Sequence, residues 1–154
     1  MTKAAGPIEK NLAYHGVSRE DASGYAQAVQ VGHTIYVSGQ LSHDETGNFI
    51  GAAPLGSKGE ILDSSNMELQ MRTSYDNTVK LLSNFGATLD HVVEETIFVT
   101  DMAAAFAVAG KVRKVRKAAY GTDRPACAST IVTISDLALG GQLVEIGFTA
   151  VLPE

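Results

Sequence analysis

The residue best placed to do chemistry is Glu145. It lies in Leu143-Val-Glu-Ile-Gly-Phe-Thr-Ala-Val151, close to the C-terminus. Successive side chains of a strand point to opposite faces. Val144, Ile146, Phe148 and Ala150 therefore make a core face, and Leu143, Glu145, Gly147 and Thr149 share the other. A carboxylate in the middle of an apolar strand is costly unless it is paired or used. Burial raises the proton affinity of a carboxylate, and one in a half-buried cleft can orient water or move a proton. A paired structural carboxylate fits the same pattern.

The other reactive side chains are less organised. Cys127 is the only cysteine, which excludes an intrachain disulfide and a cysteine-based zinc cluster. No His-Asp or His-Asn pattern accompanies it, so it reads as a small buried hydrophobe. His15, His33, His43 and His91 lack metal-ligand spacing, and no metal is expected. Lys111-Val-Arg-Lys-Val-Arg-Lys117 is the one concentrated basic run. Helical spacing puts its valines inward and its cations outward, as a solvated face near a helix C-terminus. No aromatics are interleaved there to stack bases, and the net charge of −5 argues against a general nucleic-acid binder.

These residues need elements to position them. The 154 residues fit one domain, 1–154, with a real core. Residues 1–24 read as an irregular arm with a short strand near Leu12-Ala-Tyr14. Two strand-like runs around Gly32-His33, Tyr25–Val31 and Thr34–Gln40, predict a hairpin. Leu41 to Asp63 reads as a long loop with a small strand at Phe49-Ile50. Ser65-Asn-Met-Glu68 has capping-box form and opens a helix with Met71, Tyr75, Val79, Leu82 and Phe85 in its stripe, stopped by Gly86. Val92–Val99 is a strand. Asp101 caps a second helix with the stripe Ala105, Val108, Val112, Val115 and Ala119. Two closing strands follow, joined at Gly140-Gly141.

The order β-β-α-β-α-β-β predicts an α+β fold, a mixed sheet with both helices on one face. The other face, holding Glu145 and Thr149 with Leu143 and Val151, is left uncovered, which suggests burial against other copies of the chain. The N-terminus lacks the apolar core of a signal peptide, and no apolar run is long enough to span a membrane. A cytoplasmic protein is the expectation.

Several stretches resemble the Rid family, also known as the YjgF/YER057c/UK114 family: Gly24-Tyr-Ala-Gln-Ala-Val29, Thr34-Ile-Tyr-Val-Ser-Gly-Gln40 and Leu143-Val-Glu-Ile146. Phe85-Gly-Ala87, Asp90-His-Val-Val93 and Phe98-Val-Thr-Asp-Met102 agree with it, and the similarity runs from about Gly24 to Val151. The resemblance implies a chorismate-mutase-like fold and a homotrimer, with the sheets in a central barrel and small-molecule clefts between subunits. It implies hydrolysis of enamines and imines to keto acids and ammonia, with no metal or organic cofactor. Carried over by motif, Tyr25 matches the family's tyrosine, Ser38 of Val-Ser-Gly39-Gln its serine, and Glu145 its glutamate. Tyr25, Ser38 and Gly39 are then substrate-binding and Glu145 catalytic.

The family's substrate-binding arginine has no match. Counting back from Leu137 puts Ser129 in its place, and aligning on Pro125-Ala126 puts Cys127 there. Neither can replace a bidentate cation. Arg124 is a candidate to hold a substrate carboxylate, or else a loop residue capping the preceding helix. The family's second-helix asparagine has Gly110 as its nearest match. The resulting expectation is a hydrolase or deaminase of altered substrate. The alternatives are a non-catalytic trimeric metabolite binder and, with least weight, an endoribonuclease.

Overall fold

The computed structural model describes residues 6–107 and 111–154. In chain order the elements are β1 (Asn11–Ala13), α1 (Ser18–Ser23), β2 (Ala28–Val31), β3 (Thr34–Gln40), α2 (Met67–Ser83), β4 (Val92–Val99), α3 (Met102–Ala107), α4 (Lys111–Tyr120), β5 (Ala128–Thr133) and β6 (Val144–Val151). A 3-10 turn at Leu89–His91 leads into β4. The strands form one mixed sheet in the order β1-β2-β3-β6-β4-β5. The β4–β5 pair is parallel and the other pairs are antiparallel.

The alternation read in β6 holds. Val144, Ile146, Phe148 and Ala150 are buried, and they align with buried Val99 and Ile97 of β4 and with Val37 and Ile35 of β3. Against this face lies α2, through Met67, Met71, Tyr75, Leu81 and Leu82. The opposite face is lightly covered: Tyr36, Val93 and Val151 are exposed, and Phe98 and Thr149 are half-buried.

The β2–β3 hairpin turns at Gly32-His33, where Gly32 takes a left-handed φ of 57° that glycine adopts without strain. The arm is more ordered than expected. It carries β1, at the strand read near Leu12, and the short helix α1, which no local pattern announced. The carboxylate of Glu20 accepts the backbone N–H groups of His15, Gly16 and Val17 and so organises that turn.

Other expectations are corrected. Ser65 does not cap α2: its hydroxyl donates to Asp63, while Glu68 pairs with Arg72 at 2.6 Å, so both members of the expected box are engaged elsewhere. Val79 is exposed, because α2 buries Gln70, Ser74, Asn77 and Thr78 on its inner side instead. Among the described residues Phe49-Ile50 supplies a single bridge, His43 to Phe49, rather than a strand. The second helix is described as α3 and α4, with the Asp101 carboxylate accepting from the Ala104 N–H as expected of a cap. Val108 and Gly110 lie outside the described residues.

The closing strands lie on either side of Gly140-Gly141 as read, but they do not pair with each other: β4 lies between them. β5 runs parallel to β4, so the chain must cross the strand end before β6 can return antiparallel. Leu143 is fully buried in that crossing rather than on the open face. Gly141 has φ 78°, and a Cβ there would come within 2.6 Å of the Ala53 carbonyl oxygen. Gln70 of α2 staples the crossing: its amide donates to the carbonyls of Gly51 (2.7 Å) and Gly141 (2.9 Å) and accepts from the Leu143 N–H (2.8 Å).

Replacing Gln70 by alanine strands the buried Leu143 N–H and loses all three bonds. The expected loss is about 2–4 kcal/mol, or a melting temperature lower by roughly 5–15 °C. Calorimetry checks it; an unchanged midpoint would show that the crossing is held by packing alone.

Candidate functional site

Glu145 is half-buried and aligned with Phe98 of β4. Its Oε2 accepts from Gln142 Nε2 at 3.0 Å, and Gln142 is itself buried. Gly39 leaves room for the carboxylate, since any Cβ at that position would overlap Glu145 Oε1. The β3–β6 register shifts between Val37 and Gln40, which is where Ser38 and Gly39 lie. Ser38 Oγ donates to the Ala26 carbonyl at 2.9 Å, and the Gln27 carbonyl accepts from the Ser38 N–H at 2.8 Å. Ser38, Gly39 and Glu145 therefore meet at one end of the sheet, with the Tyr25–Gln27 segment against them. Tyr25 is partly exposed, and its ring borders an open recess of about 500 Å³ with Tyr14, Gly16 and Gly24.

The other expected site residues lie elsewhere. Ser129 is exposed on the edge strand and aligned with Glu95, so it belongs to the helix-bearing side of the sheet while Glu145 belongs to the open side. Within one chain the two do not meet. Arg124 is exposed in the turn after α4, with its N–H on Thr122 Oγ1. The end of α4 is closed by backbone bonds, Gly121 to Ala118 and Thr122 to Lys117.

Cys127 is half-buried and packs against the hydrophobic core, while its sulfur also faces a polar cluster. Arg116 Nη2 donates to its Sγ at 2.9 Å, and Tyr120 OH lies 3.3 Å away. Arg116 is the exception to the solvated face read in the basic run. Arg113, Lys114 and Lys117 are exposed, but the guanidinium of Arg116 turns inward onto Glu95, a fully buried carboxylate. The other Glu95 oxygen accepts from Tyr75 OH and Tyr120 OH, both at 2.9 Å. Burial works against the Arg116 charge, but Glu95 outweighs it and holds the guanidinium above its ordinary range. Burial, reinforced by the Glu95 charge, pushes the Tyr75 phenol up, so it stays a neutral donor. Tyr120 is raised for the same first reason, with Cys127 and Glu95 adding to it.

This cluster was missed in the sequence, although its signal was present. Glu95 shares strand parity with Ile97 and Val99. Arg116 is four residues after Val112, which is the same helix face. Among the described residues no group of three or more His, Cys, Asp or Glu could hold a metal ion, and no helix is long and apolar enough to cross a membrane.

The sheet order and helix placement define a YjgF-like fold. Rv2704 from Mycobacterium tuberculosis, a member of the YjgF/YER057c/UK114 family, superposes with a TM-score of 0.70 at 26% identity, covering 94% of this chain and 100% of that one. RidA from the Antarctic bacterium Psychrobacter sp. PAMC 21119 gives a TM-score of 0.65 at 26% identity, covering 83% and 88%. A RutC family protein of Pyrococcus abyssi is 32% identical over 103 residues, 66% of this chain and 68% of its own length. The family described as endoribonuclease L-PSP matches residues 17–152. The chain belongs to that family, the YjgF/Rid family.

Removing Arg116 leaves Glu95 buried with neutral donors only. Arg116→Met should cost about 3–5 kcal/mol, and the double variant with Glu95→Gln should recover much of it, because the stranded charge is then gone. Urea unfolding of the three variants measures the coupling. Simple additivity would mean that the pair does not act as one unit.

Proposed function

We propose that the protein hydrolyses a small reactive C–N metabolite of the enamine or imine class in a cleft between the subunits of a homotrimer. Its substrate range is altered relative to arginine-bearing relatives. The observation that carries this reading is the Glu145 carboxylate, held by Gln142 beside the side-chain-free Gly39 and next to Ser38. An enamine first tautomerises to its imine, a proton moving from nitrogen to carbon, and water then adds across the C=N bond. The C–N bond of the carbinolamine then breaks, the nitrogen leaves as ammonia after taking a proton, and the carbon becomes a carbonyl. Glu145 orients the water and passes its proton to the leaving nitrogen. Tyr25 and Ser38 offer hydroxyls to the ligand. No metal or organic cofactor takes part in the proposed reaction.

The altered substrate is supported by charge. Neither Ser129 nor Cys127 is cationic, and the cation beside Cys127, Arg116, is already committed to Glu95. A substrate carboxylate would need another anchor, and Arg124 is the one available nearby in sequence. The trimer is supported by the exposed apolar side chains of the open sheet face, Tyr36, Val93 and Val151. The endoribonuclease description of the family remains the weaker reading. Arg116 faces inward and Lys117 pairs with Asp123, which thins the basic face.

Light scattering should give three times the 16.2 kDa chain mass. A monomer would remove the intersubunit cleft and this reading with it.

Activity is tested by ammonia release from imines generated in situ by an amino-acid oxidase. Glu145→Gln should lower kcat by about 10²–10⁴-fold with the trimer intact. Imines bearing a carboxylate should react roughly 10–100-fold more slowly than with an arginine-bearing relative, the worth of one charged hydrogen bond. Ser129→Arg or Cys127→Arg should restore part of that rate, and the variant that does so identifies the arginine position. If no imine is hydrolysed and neither variant gains activity while both remain trimeric, the non-catalytic binding reading replaces this one.

A further inference from the structure

A chain of side-chain hydrogen bonds runs from His15 in the N-terminal arm to Tyr25, and each link has only one possible direction. Gln40 Nε2 lies 2.9 Å from the Ser38 carbonyl oxygen, which can only accept, so that end of the amide is the NH₂. The other end, Oε1, faces His15 Nε2 at 2.8 Å and must therefore meet an N–H. His15 carries a proton on Nε2. The second hydrogen of Gln40 Nε2 goes to Gln27 Oε1 at 2.9 Å. This leaves the Gln27 NH₂ facing the Tyr25 oxygen at 3.4 Å. Tyr25 oxygen accepts, and its own proton is free to point away from the protein.

Gln40 is 1% exposed and Gln27 is 4% exposed, so neither amide can turn to water instead. Reversing Gln40 would set its Oε1 against the Ser38 carbonyl and against Gln27 Oε1 at once. The start of the chain is held as well. The backbone N–H of His15 is bound by the buried Glu20 carboxylate, and the His15 ring packs edge-on against His43 at 4.7 Å. Burial, more than any other cause, pushes the His43 pKa down, which favours a neutral neighbour for His15.

We infer that His15, Gln40 and Gln27 are positioning residues that orient Tyr25 as an outward hydrogen-bond donor, so the ligand group it meets is an acceptor: a carbonyl, carboxylate or imine. The ligand half of this inference rests on Tyr25 lining the cleft proposed above; the relay itself does not.

Two measurements test it. Nitrogen NMR of the histidine rings in the ligand-free protein should show His15 as the Nε2–H tautomer, with that proton protected from exchange. An Nδ1–H tautomer would overturn the relay whatever the protein's activity. The second measurement is an NMR titration with pyruvate, a probe that offers only acceptor oxygens, on wild type, Tyr25→Phe and Gln27→Glu. The glutamate is isosteric, but its second oxygen accepts the Tyr25 proton and turns the phenol inward. Pyruvate affinity should fall about tenfold in both variants, the worth of one hydrogen bond. Amide spectra show whether each variant keeps its fold, and Gln27→Met, which removes the donor that occupies the Tyr25 oxygen, stands in if Gln27→Glu does not. Undiminished binding in a folded relay variant overturns the orientation of Tyr25. A wild type blind both to pyruvate and to acetone, an acceptor with no carboxylate to anchor, with His15 in the Nε2–H form refutes the ligand half and the cleft reading, while the relay stands.

Discussion

The structure depends on burying one carboxylate. Glu95 sits at the middle of β4 on the helix-bearing face, where an unpaired charge would be intolerable. It is met by a guanidinium from α4 and by two phenols, one from α2 and one from the end of α4. The same three donors therefore fix where both helices lie on the sheet. Tyr75 adds ring contacts to Phe148 of β6 at 5.7 Å and to Tyr120 at 5.9 Å, which couples the polar cluster to the core around it.

Glu145 is the counterpart on the other face, and the contrast defines both residues. They lie on adjacent strands of one sheet with opposite parity. Glu95 has three donors and no solvent, so its acceptor capacity is spent on the fold. Among the described residues Glu145 has one side-chain donor, Gln142, in a half-open setting, which leaves lone pairs for something else. The glycine at position 39 matters because it keeps that space free at a shift in strand register.

Local periodicity was readable, and pairing was not. The alternation of β6, the hairpin at Gly32-His33 and the stop near Gly86 all rest on residues a few positions apart. That β6 lies between β3 and β4 rests on pairing with strands far away in sequence, β3 in the N-terminal half of the chain and β4 in its middle, and no pattern within Pro125–Val151 encodes it. Ser65 shows the same limit on a smaller scale: a serine before a helix caps it only if no nearer acceptor competes, and Asp63 does. Arg116 was a different kind of miss. Its helical phase pointed inward, and only the assumption that cations stay in water hid it. In the candidate site, Glu145 and Gly39 came together as their motifs implied, whereas Ser129 fell on the far face because strand parity depends on a register that the sequence does not display.

The placement of β6 also orders the events of biosynthesis. β1, β2 and β3 pair among themselves, and β4 pairs with β5, but the two groups meet only through β6. A nascent chain therefore carries two half-sheets with open edges until residues 144–151 have left the ribosome. The hydrophobic sides of both halves are then covered by α2 and α4, without the strand that aligns them. Sheet closure waits for the last strand, and until it pairs the exposed edges of β3 and β4 are sites at which chaperones can hold the chain or neighbouring chains can add a strand.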